Sequence, residues 1–248
     1  MFKILLAPMY HRVHNTLFPV KPDVFQKYIT NMASKYPIIV PGENLEQKIS
    51  VCLTFDDAYY DFYHFVFPLL KKLNIKAVLA VAPKFILNKT DVCAKDRLNV
   101  PYNDAVKDGI YQKKAPFCTW QELHEMQQSG HVIIASHSYN HSNMTDASID
   151  FEKEVLLSKK EIEDKLKISV DIFVYPYGKM NKEVHKQILK HYTYVMRIGS
   201  ALNKNWQNRS NCIYRFDAEH YWPQGKMLQV SDYAKLYYKY LCNSIRKK

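Results

Sequence analysis

The sequence predicts an α/β domain built on a largely parallel sheet. Apolar, strand-like runs alternate with amphipathic helical stretches along almost the whole length, and no repeat, low-complexity tract or linker divides the chain. At 248 residues, nearly half of them apolar, the chain has the size and the core material of one such domain. The domain is read as residues 1–248, with a surface insertion around 84–117.

Each element follows from local pattern. Residues 2–9 read as a first strand that delivers Tyr10, His11 and Arg12 to its exit. Residues 22–35 open on Pro22 and place Val24, Phe25, Tyr28, Ile29 and Met32 at helical spacing, which makes a packing helix. Residues 37–41 are a short strand or an extended link. In residues 50–55, Val51, Leu53 and Phe55 alternate with smaller or polar residues as in a half-buried strand, and the run ends in Asp56 and Asp57. Residues 62–73 carry a helical stripe of Phe65, Val66, Leu69, Leu70 and Leu73, and residues 77–82 are a near-continuous apolar strand of the kind covered on both faces.

Residues 84–117 break this rhythm with Asn, Lys, Asp and Pro, as expected of an excursion over the surface. Such an insertion after a barrel strand borders the active site, which makes Arg97, Tyr102 and Tyr111 candidate substrate contacts. Residues 120–128 form an amphipathic helix stopped at Gly130, and the apolar run 132–135 then ends at His137 and His141. Residues 148–166 are a charged helix with a solvated face of interleaved Glu and Lys. Strand 171–174 runs into Tyr175-Pro176-Tyr177-Gly178, whose Pro and Gly force a tight turn. A helix at 181–190, strands at 192–197 and 212–216, the second presenting Arg215, and a terminal helix at 230–245 complete the chain.

Composition narrows the function classes. Lys and Arg exceed Asp and Glu by 35 to 24, a formal +11, which favours an acidic partner such as a phosphate-bearing substrate or an anionic membrane, or else serves solubility. A nucleic-acid binder would rest on charge alone, without a recognition motif, so no nucleic-acid partner is expected. Five scattered cysteines in no Cys-x-x-Cys arrangement point to free thiols in a reducing compartment. No segment approaches a membrane span, and only residues 4–7 precede Pro8 as an apolar stretch, too short for a secretory signal. The expected location is cytoplasmic, at the inner face of the membrane if the terminal helix rests there. That helix sets Tyr233, Leu236, Tyr237, Tyr240 and Leu241 near one face with Arg246, Lys247 and Lys248 at its end, a pattern open to plain packing or to contact with an anionic bilayer.

The chemistry lies at the strand ends. Two adjacent acids repel, and where a strand exits into a loop their side chains diverge, so one can ligate a metal while the other faces a substrate. His137 and His141 are spaced so that one helical turn would point both imidazoles the same way. Together the two strand ends offer two histidines and one aspartate, the ligand set of a catalytic site with a coordination position left for water.

Thr54-Phe55-Asp56-Asp57, His137-Ser138-x-x-His141 and Tyr175-Pro176-Tyr177-Gly178, in that order, resemble the motifs of the polysaccharide deacetylase family, also called the NodB-homology domain or carbohydrate esterase family 4. Met9-Tyr10-His11-Arg12-Val13 is similar to the N-terminal Tyr-His element of its permuted members, and the likeness extends over residues 8–215. The resemblance implies a distorted (β/α) barrel of about seven mostly parallel strands, with the motifs at the strands' C-terminal ends. It also implies one divalent ion, Zn²⁺ or alternatively Co²⁺ or Ni²⁺, on Asp57, His137 and His141. By the same resemblance Asp56 is the base, the Tyr177 backbone N–H the oxyanion donor and His11 the general acid. Tyr10, Tyr175 and Trp222 are read as substrate-binding aromatics.

This sequence departs from the family pattern at two places. Many members carry an arginine three residues before the Tyr of the Pro-Tyr turn to hold the base, and here that residue is Val174; Arg215 is the candidate replacement. The late Leu-x-His element is not evident, and His220 is the nearest late alternative to His11. The implied activity is a metal-dependent hydrolase removing acetyl from an N-acetylated sugar of a cell-surface glycan or its phosphate- or lipid-linked precursor. The alternative is an inactive glycan-binding protein on the same fold.

Overall fold

The structure, a computed structural model, describes residues 3–14, 22–45, 47–208, 210–221 and 228–245. In chain order it contains β1 (Ile4–Leu6), β2 (Pro8–Tyr10), α1 (Pro22–Lys35), β3 (Ile49–Val51) and β4 (Thr54–Phe55). A π-helical stretch at Phe62–Val66 runs into α2 (Phe67–Leu73), followed by β5 (Ala77–Val81). Three short helices come next, α3 (Ala94–Leu98), α4 (Tyr102–Ala105) and α5 (Ile110–Lys114), and then α6 (Trp120–Gln128) and β6 (Val132–Ser136). A second π-helical stretch, Glu152–Leu157, leads into α7 (Ser158–Leu166), and β7 (Ile172–Val174), α8 (Lys182–Ile188), β8 (Tyr194–Ile198), β9 (Ile213–Asp217) and α9 (Val230–Ile245) follow.

Seven strands close into a barrel in the order β2-β4-β5-β6-β7-β8-β9, every pair parallel. Because all run the same way, all their C-terminal ends open on one face. Closure is between the first and last barrel strands, with Pro8 opposite Phe216 and Met9 opposite Asp217.

The two strands expected at 2–9 and 50–55 are each split. Their first halves, β1 and β3, pair outside the barrel, and only β2 and β4 enter it. Pro8, at the break, has no N–H to continue a ladder, and its carbonyl instead accepts the Thr54 hydroxyl at 2.9 Å.

Side-chain alternation sorts the core. Val78, Ala80, Ala135, Ile172, Val174, Met196 and Ile213 form one buried cluster that fills the barrel. Leu79, Val81, Ile134, Phe173 and Val195, one position out of phase, join the larger cluster beneath the helices.

Residues 84–117 are more internal than the expected surface excursion. The Arg97 guanidinium is buried, donates to the carbonyls of Ala115 and Phe117, and pairs with Glu122 at 2.6 Å. Tyr111 packs edge-on against Phe85. Neither side chain is available to a substrate, because their polarity and aromaticity are spent in folding the insertion. Arg12, at the β2 exit, clamps the insertion to the barrel by donating to Leu98 O and Val100 O, each at 2.8 Å.

Candidate active site

Five strand ends converge at the C-terminal mouth. β2 delivers His11, β4 delivers Asp56 and Asp57, β6 delivers His137, β7 leads to Tyr177, and β9 carries Arg215. The Arg215 guanidinium forms a bidentate pair with Asp56, Nη1 to Oδ1 at 2.6 Å and Nη2 to Oδ2 at 2.9 Å, with both side chains buried. Burial alone would push the Asp56 carboxyl up, but the charge of Arg215, with smaller contributions from His137 and His11, outweighs it and holds the acid well below the usual carboxylate range.

Asp57, His137 and His141 place one ligand atom each within 4.8 Å of one another. His141 Nε2 lies 3.4 Å and His137 Nε2 3.7 Å from Asp57 Oδ1. This donor set fits a divalent ion. His137 Nδ1 contacts Val174 O at 2.8 Å; a carbonyl only accepts, so the proton sits on Nδ1 and Nε2 keeps its lone pair. His141 Nδ1 lies 3.2 Å from the Tyr177 hydroxyl, which can donate or accept. Burial pulls the His137 imidazole down to about 4 against the charge of Asp56, so it is neutral, as a ligand must be.

The histidines do not share a helical turn, as their spacing predicted. They lie in an irregular loop after β6, with Ser138 and His141 in the left-handed region at φ 59° and 57°. The Ser138 hydroxyl accepts from Ser142 N, and the buried Glu154 carboxylate accepts from Tyr139 N, Asn140 N and the Asn140 side chain. Glu154 belongs to the helix whose interleaved Glu and Lys were read as a solvated face. Its role as the loop's anchor was not foreseen.

Across the mouth, His11 Nε2 lies 4.0 Å from Asp56 Oδ2 while its Nδ1 meets Glu219 Oε1 at 3.0 Å. The same Glu219 oxygen accepts from His11 N. Burial pulls the His11 imidazole down, but the Glu219 hydrogen bond and the charges of Asp56 and Asp57 outweigh it and raise it to about 9. His220, the late alternative, is exposed and its ring rests on Tyr221. Asp61, another residue the sequence reading passed over, is buried and accepts from Val13 N and His14 N, fixing the loop behind His11.

The aromatic candidates divide. Tyr10 is fully buried between Phe25 and Phe55, and Tyr175 is fully buried against Phe173 with its hydroxyl on His185. Both face the helix layer, because neighbours along a strand point to opposite sides, so neither contacts a substrate. Trp222 lies outside the described residues. Tyr177 is 60% exposed, and Tyr102, 39% exposed, stands edge-on to His11 with ring centres 6.1 Å apart.

Fold and site together define a class: a parallel α/β barrel whose mouth sets two histidines and a carboxylate beside a second, guanidinium-held carboxylate. The family profile described as polysaccharide deacetylase matches residues 44–196, more than half of the chain, and the chain belongs to that family. It is 27% identical over 168 residues to the poly-beta-1,6-N-acetyl-D-glucosamine N-deacetylase of Escherichia coli (strain K12), covering 56% of this chain. The chain spans only 23% of that relative's length. Among solved structures, the deacetylase PplD of Streptococcus pyogenes, in complex with acetate, is similar with a TM-score of 0.68 at 21% identity, covering 88% of this chain and 93% of that one. IcaB from Ammonifex degensii gives 0.68 at 19% identity over 94% and 97%. At these identities the structural likeness is one of fold.

Two expectations follow from the geometry. Replacing Arg215 with Met strands a buried carboxylate, so stability falls by about 3–5 kcal/mol in denaturant unfolding. Adding Asp56→Asn to that variant recovers much of the stability and none of the activity; a single Arg215→Met variant as stable as the parent contradicts the pairing. The second concerns His11, whose folded value of about 9 exceeds the 6.5 of an ordinary histidine. Its stabilisation is complete below about pH 6.5 and is lost as pH rises through about 9. In Glu219→Gln the His11 titration followed by NMR in metal-free protein moves to lower pH, and an unmoved titration contradicts the contact.

Proposed function

We propose that this chain is a metal-dependent hydrolase that removes the acetyl group from an N-acetylated sugar. The observation that carries the reading is the convergence, at one mouth, of a three-ligand set, a buried carboxylate paired with Arg215 and a histidine paired with Glu219. Asp57, His137 and His141 would hold the ion, Zn²⁺ or alternatively Co²⁺ or Ni²⁺, which when bound polarises the acyl carbonyl and lowers the pKa of water toward ~7.

The chain's own groups then divide the proton work. Asp56 accepts the proton of the attacking water; Arg215 makes it a weaker base but fixes where its lone pairs point. The Tyr177 backbone N–H, at a residue in the left-handed conformation with φ 57°, is the donor for the negative charge that develops on the carbonyl oxygen. His11, kept charged by Glu219, protonates the amine as the C–N bond breaks, which yields acetate and a free amino sugar. Tyr102, contributed by the insertion, borders that leaving side.

The substrate proposed is an N-acetylhexosamine of a cell-surface glycan or of its phosphate- or lipid-linked precursor on the cytoplasmic side. The +11 charge and five free cysteines support that location and carrier, while the Escherichia coli relative is named for a neutral polymer. Among the described residues no helix is long and apolar enough to cross a membrane.

Chelation abolishes acetate release, and Zn²⁺, Co²⁺ or Ni²⁺ restores it. Asp57→Ala loses metal and activity together, whereas Asp56→Asn keeps the metal by elemental analysis and loses about 10²–10⁴ in kcat. Full activity in metal-free protein would sink the reading. Nucleotide-linked, lipid-linked and free oligomeric N-acetylglucosamine, assayed side by side at low and high salt, decide the carrier: the phosphate-bearing substrates are favoured, and more so at low salt. A salt-independent preference for the neutral oligomer removes the carrier and leaves the deacetylase.

A further inference from the structure

The terminal helix α9 packs on the barrel through one stripe. Leu236 and Tyr240 are buried, Leu236 O accepts from Leu202 N, and the Tyr233 hydroxyl lies 3.4 Å from that of Tyr36. That packing accounts for the inward face, and on the outward side the Tyr237 ring stacks on Tyr240 with centroids 6.3 Å apart. Tyr237, Tyr238 and Leu241 are 45%, 68% and 41% exposed, and they adjoin one another on the helix surface. Among the described residues seven large hydrophobic side chains are exposed, and three of them are these. Of the remaining four, Tyr102 and Tyr177 border the candidate site, while Val106 caps the short helix of Tyr102 and Leu157 ends a π-helical stretch. A contiguous apolar and aromatic patch on an otherwise charged surface marks an interaction site.

Charge identifies the occupant. Lys235 and Lys239, both exposed, flank the patch, and the sequence continues from the helix into Arg246, Lys247 and Lys248. A second copy would press two lysine-flanked faces together, each on a chain of formal charge +11, and so meets repulsion. An anionic bilayer satisfies both halves of the pattern. Tyrosine rings settle at headgroup level, Leu241 enters the acyl boundary, and the ammonium groups meet lipid phosphates. We infer that the outward face of α9 docks this protein on a membrane surface rich in anionic lipid. The inference does not depend on the deacetylase reading, since none of these residues lines the barrel mouth.

The test is co-sedimentation of the full 248-residue chain with vesicles of phosphatidylcholine alone and of phosphatidylcholine mixed with phosphatidylglycerol, at low and high salt. The chain pellets with the anionic vesicles, less at high salt, and not with phosphatidylcholine alone. Lys235→Gln with Lys239→Gln weakens partitioning by about fivefold for each charge removed. Tyr237→Ser, Tyr238→Ser and Leu241→Ser combined reduce it to the phosphatidylcholine level, while circular dichroism shows the helix content and thermal midpoint of both variants kept. Equal pelleting with the two vesicle types, or pelleting undiminished in either variant, overturns the inference. So does a dimer in light scattering that the serine variant dissolves, because the face then belongs to a second copy.

Discussion

The arrangement of the mouth depends on one buried ion pair. Arg215, on the last barrel strand, reaches past β2 to hold Asp56 at the exit of β4 through two parallel hydrogen bonds. Such a pair is an expensive way to stabilise a core, since desolvating both charges offsets most of their attraction and apolar replacements of similar volume often do as well. What it provides is a carboxylate that stays ionised where burial would otherwise neutralise it. The charge on His11 follows in part from the charge on Asp56. Taken formally, Asp56, Asp57 and Glu219 against Arg215 and a protonated His11 leave one negative charge at the mouth. A divalent cation held by Asp57, His137 and His141 would change that to one positive charge, suited to an oxyanion.

Much of this was legible in the sequence because the strands are parallel. Once apolar runs alternate with helices, every strand exit falls on one face, so Asp56, Asp57, His137 and the Pro-Tyr turn had to meet there. Arg215 could be singled out because Val174 left the base without a guanidinium. Glu219 could not. It sits one residue before the conspicuous His220, and only the closure of β9 on β2 sets it beside His11. Glu154 was hidden by its setting, a run of Glu and Lys that looks solvated until the loop after β6 folds over it. Tyr10 and Tyr175, read as substrate-binding aromatics, are buried in the helix layer by strand alternation, which turns immediate neighbours away from each other.

The histidine spacing shows a further limit. Two imidazoles four residues apart can meet on a helix, but here the backbone brings them together through left-handed Ser138 and His141. Asp57, Ala58 and Tyr177 adopt the same conformation, so among the described residues five of the eleven non-glycine positions with positive φ lie in the loops of the site. Each costs of the order of 1–2 kcal/mol and persists because surrounding contacts fix it. Glu154, Asp61 and the Ser138 hydroxyl supply those contacts by satisfying loop N–H groups. Nothing in residue identity announces a left-handed aspartate or histidine, which is why the ligands were legible and their path was not.

The seam between β2 and β9 separates the site's components in time as well as in space. The three candidate metal ligands all lie in the first 141 positions, whereas Arg215 and Glu219 belong to the last barrel strand and its exit. During ribosomal synthesis the ion-gathering residues therefore emerge well before the groups that charge the base and the acid. A chain whose final strand has not yet docked holds Asp56 and His11 without the guanidinium and the carboxylate that set their charges. On the proposed reading, the charges that the reaction requires are thus set only when β9 closes on β2.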